Sequence, residues 1–289
     1  MVSSLRILYL VLAIVFGLGL AIAGVLGLFD LLQGQSTNGS DGPPPFSFSS
    51  YAYTPVIAAI VLLSGYAAFK HRWEALALAC WFLLGGAILE ASYVIWLLVR
   101  YGTIPESVDD AFAVVWALFS VPGLVLAVRA GSQHEPRSHS GTSASTQERI
   151  RLRNTLIGMA AISYFWRAIV VATNPGLTYA IAFLRGLTDL YGSEQVVLSG
   201  VIGLAVAIVL LVCVVVSSKA SEKIVLGALA FTAGFAFEGF LDTLDYAFWL
   251  GSPREFTSSL QDAVAFVACC AALALSMQGE RMSSRLTPA

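Results

Sequence analysis

Eight apolar runs of bilayer-crossing length divide this sequence, at residues 5–28, 52–69, 74–99, 110–128, 154–172, 196–217, 224–250 and 260–277. About 20 consecutive apolar residues carry a helix across the roughly 30 Å hydrocarbon layer. Within that layer the backbone must satisfy its own hydrogen bonds, which a helix does residue by residue. The expected fold is therefore all-α, a polytopic integral membrane protein with eight transmembrane helices. Composition agrees. Hydrophobic residues make up 57% and charged residues 12%, against about 25% charged in ordinary soluble domains, and the mean hydropathy is +0.79. A net charge of -2 offers nucleic acid no basic surface.

The basic residues orient the chain. With the N-terminus in the cytoplasm, inside segments hold Arg6, Lys70, Arg72, Arg129, Arg137, Arg149, Arg151, Arg153, Lys219, Lys223, Arg281 and Arg285. Outside segments hold only Arg100, Arg185 and Arg254, and Arg167 falls within a span. This excess is the positive-inside signal, and it places both termini in the cytoplasm of a multi-pass cell-membrane protein. Residues 5–28 also suggest a signal peptide with Ala21-Ile22-Ala23 as its cleavage site. The run is longer than the ~7–15 residues of a signal core and continues past that site, so it reads as a retained first helix. Asn38-Gly39-Ser40, in the first outside loop, is a candidate glycosylation acceptor at Asn38. Residues 173–194 suggest a short helix at the outer interface.

The fourth and eighth runs open alike, Asp110-Ala-Phe-Ala-Val-Val and Asp262-Ala-Val-Ala-Phe-Val, at an offset of 262 − 110 = 152. The same offset carries Leu89-Glu90 onto Leu241-Asp242. An internal repeat follows as an expectation: residues 1–129 a first four-helix unit, 130–153 a basic cytoplasmic linker, 154–278 a second unit and 279–289 a tail. Four spans is an even number, so the two units enter the bilayer from the same side as parallel repeats.

Ionisable residues inside spans carry the functional expectation, because they are costly there and face a partner, a protein interior or water. Glu238, Asp242 and Asp245 lie on one helical face within an arc of about 60°. Counted from the inner ends, Glu90 lies about 24 Å deep, Glu238 about 21 Å, Asp242 about 27 Å, Asp245 about 31 Å and Arg167 about 19 Å. Arg167 is thus placed to pair with Glu238 or Glu90. Four acids against one arginine leave carboxylates that must be protonated, hydrated or bound to a cation. These four residues form the candidate ion or proton site, and oxygen-rich clusters suit hard cations such as calcium, magnesium or sodium. Asp109, Asp110 and Asp262 start runs and suit helix N-terminal charge or capping.

Other chemistries lack their residues. His71, His134 and His139 all fall outside the runs, so no haem-binding histidine pair is expected, and no mid-span lysine suits a retinal Schiff base. Cys80, Cys213, Cys269 and Cys270 sit in apolar runs and read as small buried side chains. Walker, Gly-x-Ser-x-Gly and His-Glu-x-x-His patterns are missing. Gly85, Gly86, Gly200 and Gly227 suit close helix packing.

The stretch Glu238 to Asp245 resembles the acid-rich motifs of membrane prenyltransferases, which implies magnesium and a diphosphate. Only one half carries such a stretch and basic residues near it are few, so membership is not adopted. The four-plus-four layout is similar in architecture alone to haem-free quinol-reactive membrane subunits. Three readings follow: proton- or cation-linked transport or permeation; a non-catalytic anchor, assembly or sensor subunit that packs against another membrane subunit; and, third, a metal-dependent lipid or isoprenoid enzyme.

Overall fold

The computed structural model describes residues 2–32, 48–102, 108–131, 144–173, 193–216, 222–250 and 253–285. Among these residues the chain forms eight helices: α1 (Val2–Leu32), α2 (Phe48–Phe69), α3 (Trp73–Tyr101), α4 (Val108–Gly131), α5 (Ala144–Thr173), α6 (Ser193–Val216), α7 (Glu222–Leu250) and α8 (Pro253–Arg285). Each falls on one of the eight apolar runs. Three contain segments long and apolar enough to cross a membrane: Ser3–Leu26 of α1, Glu222–Leu241 of α7 and Leu260–Met277 of α8. Shorter apolar segments lie in α2, α3, α4 and α6. The outer surface is apolar as well. Leu8, Val15, Val128, Ile162, Val201 and Val215 are all more than half exposed, which suits a lipid-facing surface better than a watery one.

Several helices reach beyond their apolar runs. The segment Ala144 to Arg153, expected to be linker, forms the first turns of α5. Gln, Glu and Arg are good helix formers although they are not apolar, so hydropathy understates the helix here. Pro55, expected in the first turn of the second span, sits well inside α2. Its ring packs on Gly24 of α1. Asn38 and the interfacial helix expected within 173–194 lie outside the described residues.

The helices pack as two groups of four with the same adjacency. In the first, α1 packs on α2, α2 on α3, α3 on α4, and α1 touches α4. In the second, α5 packs on α6, α6 on α7, α7 on α8, and α5 on α8. Each group has its own apolar core. The first is built around Tyr9, Ile57, Leu76, Leu83 and Leu126, the second around Ile157, Tyr164, Leu210, Val225 and Leu229. Between the groups, α3 crosses α7, with smaller contacts of α2 to α7 and α3 to α6.

That crossing is a backbone-to-backbone contact. A methyl group added at Gly85 would overlap the carbonyl of Phe231, and one added at Gly234 would overlap the carbonyl of Phe82. Small residues of this kind let membrane helices approach closely. Nearby, Gly227 lies under the indole of Trp81. The expected packing role therefore holds for Gly85 and Gly227.

The first core also encloses a polar trio. Ser64 Oγ donates to the Val61 carbonyl at 2.6 Å, which occupies its one proton. The Tyr9 hydroxyl must then donate to Ser64 Oγ, 2.9 Å away. Its lone pair is left for the Cys80 thiol at 3.3 Å. The Tyr9 ring stacks on Phe119 with centroids 4.8 Å apart. Other buried hydroxyls turn back on their own helices: Ser120 donates to Trp116 O at 2.8 Å and Ser276 to Ala272 O at 3.1 Å.

Candidate functional site

The second group of helices holds the ionisable residues that the sequence singles out, apart from Glu90 on α3. Two contacts fix how α5 and α7 run. Arg153 Nη1, in the third turn of α5, lies 3.0 Å from Oε1 of Glu222, the first residue of α7. Further along both chains, the Tyr164 and Phe235 rings meet with centroids 5.4 Å apart. Both contacts advance together, so α5 and α7 are parallel. Arg167 follows Tyr164 by three residues and Glu238 follows Phe235 by three. Positions 167 and 238 therefore stand at one level on helices that face each other across the second group.

The third helix of the site is α8. It is separated from α7 by residues 251 and 252 alone and packs along it, so the two run antiparallel. The Phe237 and Phe266 rings set their register, with centroids 5.3 Å apart. Asp262 precedes Phe266 by one helical turn on α8. It is thereby level with residue 241 of α7, about 4.5 Å of rise from the level of Glu238.

Asp262 is 1% exposed. This overturns its expected role as a cap. Helix α8 begins at Pro253, so Asp262 lies more than two turns inside it. The apolar run began only near residue 260, because Arg254, Glu255 and the polar residues after them break the hydropathy without breaking the helix. Glu238 is partly buried, and its Oε2 atom is out of contact with solvent. A carboxyl group so enclosed must hold its proton or meet a compensating group.

The remaining expected site residues are described only by their backbone. Asp242 and Asp245 continue the face of Glu238 along α7. Glu90 lies on α3, five residues beyond the Gly85 crossing, and Glu238 lies four beyond Gly234. Arg167 lies on α5. The side chains of these four lie outside the described residues. Among the described residues no three His, Cys, Asp or Glu side chains converge as a metal ion would need.

The cysteines divide. Cys80, Cys213 and Cys269 are buried as expected, while Cys270 is exposed on the apolar outer face. Arg153 is the polar residue in this half that sequence reasoning counted only as an orientation signal. It is 7% exposed, and its partner Glu222 lies 69 residues away. Spacing along the sequence gave no sign of that pairing.

Comparison with known protein families, with curated proteins and with solved structures gives no match.

Proposed function

We propose that this chain is a multi-pass membrane protein made of two fused copies of one four-helix unit, with both termini cytoplasmic. In this reading the acids of the second copy handle protons or cations. The burial of Asp262 beside the level of Glu238 carries the functional part. An acid enclosed in a helix able to cross a membrane is costly, and such residues mark ion and proton pathways. Glu90, Asp242, Asp245 and Arg167 complete the proposed site.

The duplication is supported by a constant shift. Helices α3 and α7 have the same length and start 222 − 73 = 149 residues apart. That shift carries buried Ile57, Ala58 and Val61 onto buried Val206, Ala207 and Leu210. It carries Leu76, Cys80 and Ala87 onto Val225, Leu229 and Ala236, and Trp116, Phe119 and Ser120 onto Ala265, Ala268 and Cys269, all buried. Gly85 falls on Gly234 and Phe82 on Phe231, which makes the crossing of α3 and α7 reciprocal. At the offset of 152 buried Ile57 would fall on half-exposed Val209. The better register pairs Glu90 with Gly239 and Asp262 with Ala113, so the acids belong to single copies.

The test is proton or cation flux in vesicles reconstituted with the purified protein, comparing Asp262→Asn and Glu238→Gln with the unmodified chain. Flux that falls in both variants, while both remain folded, supports the reading. Unchanged flux in both ends it.

A second reading, a non-catalytic anchor, assembly or sensor subunit, draws on the Gly85 and Gly234 crossing and the Arg153–Glu222 pair. Both lock helices without any chemistry. Copurification of a second membrane subunit in fixed ratio, together with no flux, favours it.

A further inference from the structure

We propose that the cleft between α1 and α4 holds one hydrocarbon chain of a membrane lipid. The cleft is a half-open groove of about 270 Å³, lined by Tyr9, Leu12 and Phe16 of α1 and by Val115, Phe119 and Pro122 of α4, among others. Its walls are almost wholly apolar, because the Tyr9 hydroxyl is turned inward to Ser64 and Cys80. No charged side chain lines it, which leaves nothing to hold a headgroup or an ion.

The cleft has a cause in the sequence. On α4 the residues turned toward the core include Trp116 and Phe119, and these aromatic rings prop α1 away from α4. At the matching places α8 carries Ala265 and Ala268, with Ala272 a turn further on. There α5 closes directly onto α8. One copy of the proposed duplication has thus opened a lateral gap where, among the described residues, the helices of the other close together.

The occupant follows from what surrounds the opening. Leu118 on its rim is 66% exposed, and Val11 and Val15 on the neighbouring face of α1 are 51% and 61% exposed. The cleft is therefore continuous with the lipid-facing belt. It is smaller than the roughly 300–1,000 Å³ of pockets that take compact ring-bearing ligands, and its shape suits a single flexible chain. The drive is packing: walls without partner atoms forfeit their dispersion contacts, and a chain entering from the bilayer restores them. Tyr9 lies seven residues from the start of α1, about 10 Å along it. With the N-terminus cytoplasmic, the chain comes from the inner leaflet. The inference rests on the membrane reading and is independent of the ion pathway.

The experiment uses the full protein in phosphatidylcholine vesicles containing a phosphatidylcholine with a photoactivatable diazirine in its acyl chain. Labelled positions are mapped by peptide mass spectrometry. Labelling of Leu12, Phe16 and Val115 should exceed that of Ile208 and Val212, exposed residues of α6, by about threefold or more, as a retained chain exceeds a passing one. Leu12→Trp, and the milder Leu12→Phe, should remove the excess and leave the α6 labelling intact. Equal labelling of cleft and α6, or an excess that survives both substitutions, overturns the proposal while the membrane reading stands. Absence of label from α6 as well overturns the membrane reading itself.

Discussion

Arg153 and Glu222 join α5 to the first residue of α7 across 3.0 Å, with the arginine side chain 8% exposed and the glutamate 48%. The pair is lopsided, and its loss should be lopsided too. Glu222→Gln leaves a guanidinium buried without its charge partner. Arg153→Met leaves a glutamate that water reaches. We expect the first to lower stability by about 1–2 kcal/mol, between the values for exposed and buried pairs, and the second by less. Apparent melting temperatures of the two variants in one detergent check the order.

The crossing of α3 and α7 predicts equal sensitivity at two glycines. Gly85→Ala and Gly234→Ala each push a methyl into a backbone carbonyl that cannot swing aside. Each should cost about 1–3 kcal/mol or more. Gly227→Ala meets only the Trp81 side chain, which can shift, and should cost less. Gly158→Ala meets nothing and should be neutral, or stabilising by about 0.5–1 kcal/mol. Thermal unfolding of the four variants tests the order.

Tyr9→Phe removes the hydroxyl from the first core but keeps the ring on Phe119. Ser64 retains its bond to Val61, so the two bonds of the hydroxyl are lost, one to Ser64 and a weak one from the Cys80 thiol, and only that weak donor is stranded. A loss of about 1 kcal/mol is expected. Tyr9→Ala also removes the stacked ring and should cost about 3–5 kcal/mol. A denaturant series separates the two.

The four cysteines should differ in access. Cys270 is exposed and the other three are buried. In detergent at alkaline pH, where water reaches the outer face and the thiolate forms, a small maleimide should modify Cys270 in the folded protein and reach Cys80, Cys213 and Cys269 only after denaturation. Mass spectrometry of intact and digested protein gives the sites.

Among the described residues, hydropathy located the eight helices because burial in protein and contact with lipid both demand apolar side chains. It misjudged their ends. Residues 144–153 and 253–259 are polar yet helical, and this hid Asp262 inside α8. The helical spacing of Glu238, Asp242 and Asp245 was legible because it is local. Contacts between distant segments were not. Tyr9 meets Ser64 and Cys80 across 55 and 71 residues, and nothing in the local pattern announces either. Gly85 could be read as a packing residue, while its partner Phe231 could not. The proposed repeat illustrates the same limit. Matching letters favoured an offset of 152, whereas the alternation of buried and exposed positions follows 149.

At the crossing of α3 and α7 each glycine meets the carbonyl that the other helix supplies at the same place. On the proposed duplication, a single ancestral helix would have docked against an identical one there. Half of this chain would then have worked as a homodimer, with every side chain present twice. Fusion would have released the copies from changing in step, so that one could come to carry Asp262 and the other Tyr9.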